Sequence, residues 1–350
     1  MMSGGLRTFA LCAALSCVAL DAQAQSSPGY GNVAWEELAG ASVAQLREQL
    51  PLLQERGLSL TLHWKAEQLD DAERWALVKD AVARGVRVIP WLTLPDEQGY
   101  FPNATNYEAW IGAARELLKV WRERGLPPTA LSLDLEPPKA ELYEFQRLTA
   151  SGDVLGVVRF LSERVDRPQY EAAGRAFHSF VADAHTLGFS VYVTTLLPLL
   201  DDYADGDDFL RQAFHCPLDA AEWDEISFQI HRTIYAQSYP VNAYLVYDYG
   251  RSVQRRFGAR AGIGIGLTHA GIASDPDIVY ASGDALRADT EAALAAGFPR
   301  ERIGVYSLLG MYTRAPLEQW LQPAGARVPA RDLGTEMLHA SVQLIDALGH

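Results

Sequence analysis

The sequence predicts a (β/α)8 barrel, on three observations. The first is a shared register. Leu58, Leu60 and Leu62 alternate with Ser59, Thr61 and His63, and Leu131, Leu133 and Leu135 with Ser132, Asp134 and Glu136. Ile226, Phe228 and Ile230 alternate with Ser227, Gln229 and His231, and Ile263, Ile265 and Leu267 with Gly262, Gly264, Gly266 and Thr268. Successive side chains of a strand point to opposite faces. Each segment therefore offers a branched apolar face suited to covering helices and a small-then-polar face suited to a crowded interior. The second observation is punctuation: five amphipathic stretches end at a glycine, the usual helix stop, and a strand-like run follows within a few residues. The third is the count of eight strand starts in 350 residues, the size of one such barrel.

In chain order, residues 1–24 read as a secretory signal outside the fold. Arg7 precedes an apolar run from Phe9 to Leu20, and Ala22-Gln23-Ala24 supplies the small residues of a cleavage site after Ala24. The run is short for a membrane span, so no integral membrane segment is expected after cleavage, and the mature chain is expected to be secreted or periplasmic. Residues 25–322 carry the barrel. A first strand over 31–36 leads to a helix over Val43–Arg56 that stops at Gly57, and a second strand starts at Leu58. A helix over 70–84 stops at Gly85, with a strand from Val86, and a helix over 107–124 stops at Gly125, with a strand from Ala130. Residues 137–168 are expected to form a long loop walling the site. A helix over 175–187 stops at Gly188, and strands start at Phe189, Glu225 and Ala259. A helix over 284–296 stops at Gly297, with the last strand from Arg302. Residues 323–350 read as a linker over 323–329 and a terminal helix over 332–348 that packs on the barrel.

With 49% hydrophobic residues the chain can bury one large core. Its net charge of −14 is unchanged by removal of the signal, which carries only Arg7 and Asp21. That charge disfavours nucleic acid as a partner. Cys12 and Cys17 leave with the signal, so Cys216 stands alone and no intrachain disulfide is expected. Cys216 reads as a buried small residue away from the strand mouths. The acidic run Asp201, Asp202, Asp205, Asp207 and Asp208 reads as a solvated loop and helix start, with metal binding as the lesser alternative. The chain carries no P-loop, no dinucleotide glycine fingerprint and no clustered metal motif, so no cofactor is expected.

In such barrels the active site forms at the C-terminal ends of the strands. The fourth strand is the most informative, because its inward face turns acidic there: Ser132, Asp134, Glu136. Two carboxylates at i and i+2 lie roughly 6–7 Å apart. Holding them in a barrel mouth costs desolvation and mutual repulsion, which points to function. One of the pair is expected to hold a proton at mildly acidic pH, with the pKa of Glu136 raised. The other strand ends and the following loops add His63, Trp64, Trp91, Asp96, Tyr192, Gln229, His231, Tyr235 and Tyr306 as candidate substrate contacts. Aromatic walls over a polar floor suit sugars, whose C–H faces stack on rings while their hydroxyls need many hydrogen bonds. Each has a plainer reading: Trp91 and Tyr306 could fill the barrel, and His63 and His231 could be satisfied core residues.

With these residues in place the chain resembles the TIM-barrel glycoside hydrolases. Asp134-Leu135-Glu136 is similar to the end of the Asp-x-Asp-x-Glu series after strand four of the family 18 chitinases. The resemblance implies that Glu136 is the proton donor and that Asp134 positions it and a substrate acetamido group. The chain departs from that family at Ser132, which takes the place of the first aspartate. It departs again at Phe228-Gln229-Ile230-His231, where the family has Met-x-Tyr-Asp, and at Tyr306, in a last strand without the family's tryptophan. A second catalytic carboxylate is open among Asp134, Asp96 and Glu36.

The expected activity is therefore hydrolysis of an oligo- or polysaccharide by a secreted, monomeric glycosidase. One alternative is a metal-dependent hydrolase or isomerase built on His63, Asp134, Glu136, His231 or His269, since imidazoles and carboxylates from different strands suit zinc or manganese. The other is a carbohydrate-binding barrel without catalysis.

Overall fold

The computed structural model describes residues 28–35, 42–271, 278–314 and 316–349. Residues 1–24, expected from the sequence to be a signal and carrying Cys12 and Cys17, lie outside the described residues, as does Glu36. Eight parallel strands close into a barrel in chain order: β1 (Asn32–Trp35), β2 (Ser59–Lys65), β3 (Val88–Thr93), β4 (Ala130–Leu135), β5 (Ser190–Leu196), β6 (Glu225–Ile230), β7 (Ala261–Gly266) and β8 (Ile303–Tyr306). β1 closes the ring against β8, pairing Asn32 with Gly304 and Val33 with Val305. Each strand begins within two residues of the start expected from the register.

The apolar faces do what their pattern dictates. Leu60, Leu62, Leu131, Leu133, Leu135, Phe228 and Ile230 are fully buried under the helix layer. Each such side chain contributes about 1.5–3 kcal/mol relative to exposure. The first covering helix, Val43–Arg56, starts on a capping box in which Ser42 and Gln45 satisfy each other's backbone N–H groups. It stops at Gly57, whose φ of 59° is left-handed and whose N–H returns to Gln54 O.

The 137–168 segment departs from expectation: it contains two helices, Lys139–Ala150 and Val154–Ser162, and the helix after it starts at Arg167. Leu142 and Leu148 on the first, and Val157, Phe160 and Leu161 on the second, recur at helical spacing and are buried. Asp153 caps the second by accepting from Gly156 N at 2.8 Å.

The terminal helix, Leu333–Gly349, packs on the Val154–Ser162 helix and buries Leu338 and Val342. Its His339 ring stacks on Tyr249 at 4.1 Å and sits between two carboxylates, with Nδ1 2.6 Å from Asp201 and Nε2 3.1 Å from Asp248. Burial alone would lower its pKa, but the hydrogen bonds to Asp201 and Asp248 lift it to about 9. This corrects the reading of the acidic run. Asp201 is buried and also accepts from Tyr249 OH. Asp202 is fully buried, accepts from Leu210 N and Arg211 N, and pairs with the Arg211 guanidinium at 3.2 Å. These carboxylates anchor structure instead of lying in solvent. Among the described residues no helix is long and apolar enough to cross a membrane.

Candidate active site

Barrel interiors of this kind are normally filled by layers of branched side chains. Here the inward positions include Ala34, Ser59, Ser132, Ser227, Gly264 and Gly304, and they leave an axial cavity of about 340 Å³. Its upper wall carries Trp91, Asp134, Gln229, His231 and Tyr306. Its floor carries Arg87, Glu225 and Arg302, where Arg302 pairs with Glu225 and Arg87 Nη2 donates to Tyr192 OH at 3.1 Å. The glycines of β7 make room for the sixth strand's imidazole: a Cβ on Gly266 would meet the His231 ring at 3.1 Å.

The inward register of β4 places Ser132 and Asp134 on the cavity wall. Glu136 follows one pleat nearer the rim and is 3% exposed. Its backbone N–H donates to Pro102 O, and its Oε1 accepts from Gln229 Nε2 at 2.5 Å, which joins it to the cavity wall. Burial pushes the Glu136 carboxyl up to about 7, and the Gln229 hydrogen bond holds it from rising further. The group therefore keeps its proton at pH 6 and can release it to a basic oxygen, after which the Gln229 N–H stabilises the carboxylate left behind.

Both candidate histidines are uncharged at neutral pH. Burial, aided by Arg74 and Lys65, holds His63 down to about 3. His63 Nε2 lies 2.9 Å from Thr93 Oγ1 and 3.4 Å from Tyr100 OH, and its ring is 4.7 Å from that of Trp91. Burial holds His231 down to about 4, beside Tyr306 at 6.4 Å. Tyr100 reaches His63 from a backbone with φ of 64°, a left-handed conformation that non-glycine residues rarely adopt and that clusters at functional sites.

Two of the expected contacts, Trp64 and Asp96, lie outside the cavity, and Tyr192 lines its floor. Trp64 shares the parity of Leu58, Leu60 and Leu62, so it faces the helix layer, fully buried, with its ring 4.5 Å from Trp75 and the Arg74 guanidinium over it. Tyr192 faces inward but near the N-terminal end of β5, between Arg87 and Arg302 on the floor. Asp96 follows β3 on an exposed turn and is paired with Lys139 at 3.1 Å, outside the cavity lining. Tyr203, in the segment after β5, packs on Phe257 and donates to Asp219. Tyr235 ends the short Arg232–Tyr235 helix, where burial and the negative charges of Asp201 and Glu136 raise its phenol well above the ordinary value.

The sequence reading missed one neighbour of the acid. Cys216 is fully buried, its Sγ lies 3.2 Å from Leu135 O, and the negative potential of Glu136 helps burial raise its thiol pKa. It stands beside the mouth of β4, not away from it. Nothing local marks this position, since the loop that carries Cys216 is brought there by the tertiary fold alone.

Among the described residues, the group able to hold a cation with three acidic, His or Cys ligands is Asp202, Asp207 and Asp346, within 4.8 Å of one another. It lies where the terminal helix docks, and Arg211 already neutralises Asp202 there.

No known family model matches the chain, and no curated protein matches it in sequence. Solved structures do match in fold. The PgaB glycoside hydrolase domain from Bordetella bronchiseptica aligns with a TM-score of 0.48 and 11% identity, over 86% of this chain and 99% of that one. A xylose isomerase domain protein from Planctomyces limnophilus aligns at 0.45 and 11%, over 92% and 97%. D-psicose 3-epimerase from Clostridium cellulolyticum H10 aligns at 0.42 and 12%, over 91% and 98%.

Proposed function

We propose that this chain is a secreted or periplasmic glycoside hydrolase in which Glu136 is the general acid and Asp134 its partner. The observation that carries the reading is the state of Glu136. It is a buried carboxyl at the C-terminal end of a barrel strand, with a pKa of about 7, hydrogen-bonded to a residue of the cavity wall. A glycosidic oxygen is a poor leaving group until it is protonated, and an acid with a pKa near the working pH is best matched to that transfer. Glu136 gives its proton to the departing oxygen, and Gln229 stabilises the carboxylate that results. Asp134, on the cavity wall one pleat deeper, faces the positive charge that develops at the sugar carbon, where a water then adds and passes its proton to a carboxylate of the pair, completing the hydrolysis. Trp91 and Tyr306, their rings perpendicular with centroids 6.4 Å apart, offer the faces that a sugar ring stacks on.

The test is a panel of oligosaccharides of differing sugar and linkage, incubated with wild type, Glu136→Gln and Asp134→Asn. Turnover of the true substrate is expected to fall at least roughly a hundredfold in Glu136→Gln. Asp134→Asn is expected to lower turnover and shift the pH profile. The same panel includes free aldoses and ketoses, assayed with and without a chelator. Isomerisation of a free sugar that chelation abolishes would overturn the glycosidase reading in favour of a metal-dependent isomerase.

A further inference from the structure

We infer that the axial cavity is a well for one neutral sugar ring, entered end-on, so that the enzyme works at chain ends and releases single sugars; this rests on the glycosidase reading above. Shape is the first argument. The inward residues Ala34, Ser132, Ser227 and Gly264 are too small to fill the barrel, and the cavity they leave is about 340 Å³, room for about ten water molecules at liquid density. A groove for the middle of a polymer is open along two sides. This space is ringed by eight strands, so a polymer reaches it only along the barrel axis, with an end leading.

The second argument is an unmet hydrogen bond. Trp91 lines the well, is 6% exposed, and its indole N–H has no hydrogen-bond partner among the described residues. A buried donor left unpaired is costly, and buried polar groups in folded proteins are almost always satisfied. A sugar hydroxyl oxygen is an acceptor of the right kind, carried on a ring whose C–H face matches the indole. Charge is the third argument. His63 and His231 are neutral above about pH 4, and the cations among the described lining residues, Arg87 and Arg302, are at the floor. The upper well offers Asp134 and no cation among the described residues, so an anionic sugar has no partner there.

Two substitutions test the well. At Gly264 a Cβ would make ordinary contacts of 3.7 to 3.9 Å, so Gly264→Ala is tolerated while Gly264→Leu projects a side chain into the space. Trp91→Phe keeps an aromatic ring and removes the N–H. The probes are glucose, galactose, mannose and N-acetylglucosamine, titrated calorimetrically against each folded variant. Oligosaccharides of the same sugars, end-labelled, are sampled from the first minutes of digestion. At least one sugar is expected to bind wild type. It should bind Gly264→Leu at least tenfold more weakly and Trp91→Phe roughly threefold to tenfold more weakly. Digestion should shorten the oligomers one residue at a time.

Early release of mid-length fragments would overturn end-on binding and leave the glycosidase reading standing. Binding of the sugar unchanged in both Gly264→Leu and Trp91→Phe would overturn the well. So would failure of all four sugars to bind together with no single-sugar release. Binding sensitive to Gly264→Leu, with no oligosaccharide cleaved, would support the well while removing the glycosidase reading. If Gly264→Leu does not fold, Trp91→Phe decides.

Discussion

Replacing Glu136 by Gln should inactivate the enzyme and stabilise the protein, and the second effect can be worked out from the structure. The carboxyl goes from its ordinary pKa of 4.5 to about 7 on folding, because burial penalises its charged form. A group whose pKa is raised in the fold lends its full stability below the unfolded value and loses it as pH climbs through the folded one. At pH 4 and below both states are protonated, and wild type and variant should melt alike. Between pH 4.5 and 7 the unfolded chain sheds its proton and the folded chain does not. Each unit of pKa difference is worth about 1.4 kcal/mol, so the wild-type disadvantage grows from under about 1 kcal/mol at pH 5 to about 3 kcal/mol at pH 8, then levels off. Gln keeps an acceptor for the Gln229 N–H, so the hydrogen bond survives while the ionisation is removed. The assay is urea or thermal unfolding of both proteins at unit steps from pH 4 to 9, beside hydrolysis rates. A stability difference that does not change with pH would refute the burial argument. A difference that falls as pH rises would show that the carboxylate, not the acid, is the form the fold favours.

Other expectations follow from the same reasoning. His231, held down to about 4 by burial, lends stability that is complete above its unfolded value near 6.5 and is lost as pH falls through 4; His231→Gln should therefore resist acid unfolding between pH 6 and 4 better than wild type, read by urea titration at each pH. His339, lifted to about 9 between Asp201 and Asp248, works with the opposite sign: its contribution is present below pH 6.5 and lost as pH rises through 9. His339→Gln should cost roughly 1–3 kcal/mol at pH 6 and far less at pH 10, measured by melting, since one of its partners is partly exposed and screened. Trp64→Ala should cost about 3–5 kcal/mol of stability and leave the Michaelis constant unchanged, because the ring is fully buried against Trp75 in the helix layer.

How far the sequence speaks depends on whether an interaction is local. The strand register and the glycine stops are set within a few residues, and both were readable. So was the fate of Trp64: its parity with Leu58, Leu60 and Leu62 was in plain sight, and the expectation failed by weighing residue type above register. Tyr192 is a subtler case. Its parity is inward, but strands in a barrel are staggered, and its pairing with Ser132 and Glu225 sets it levels below Thr194 and Asp134. Stagger belongs to the closed sheet and is not written in any one strand. The Lys139–Ala150 and Val154–Ser162 helices carry their apolar period within the sequence itself, in a segment whose length suggests a loop. Asp201, Asp202 and Cys216 are different again. Their partners, among them His339, Arg211 and Leu135, are 138, 9 and 81 residues away. Only the tertiary fold brings His339 and Leu135 to them.

That division explains why the proposed acid stands out in the sequence and its surroundings do not. A strand buried on both faces has no local reason to carry a carboxylate, so Asp134 and Glu136 stand out against the apolar background that the fold requires. The surroundings of Glu136 are supplied by chain far from β4: Gln229 on β6 bonds its carboxyl, Pro102 after β3 accepts its backbone N–H, and Cys216 reaches the carbonyl of Leu135 beside it. Each lies near the C-terminal end of a strand or in the segment that follows one. The helices that cover the barrel fix the strands, and the strands fix the register. The register then points Asp134 into the cavity and leaves Glu136 at the rim, where loops free to vary can close over it. A change in those loops should move the pKa of Glu136 without moving its position. A change of register by one residue would exchange the Asp134 and Leu135 faces and abolish the site.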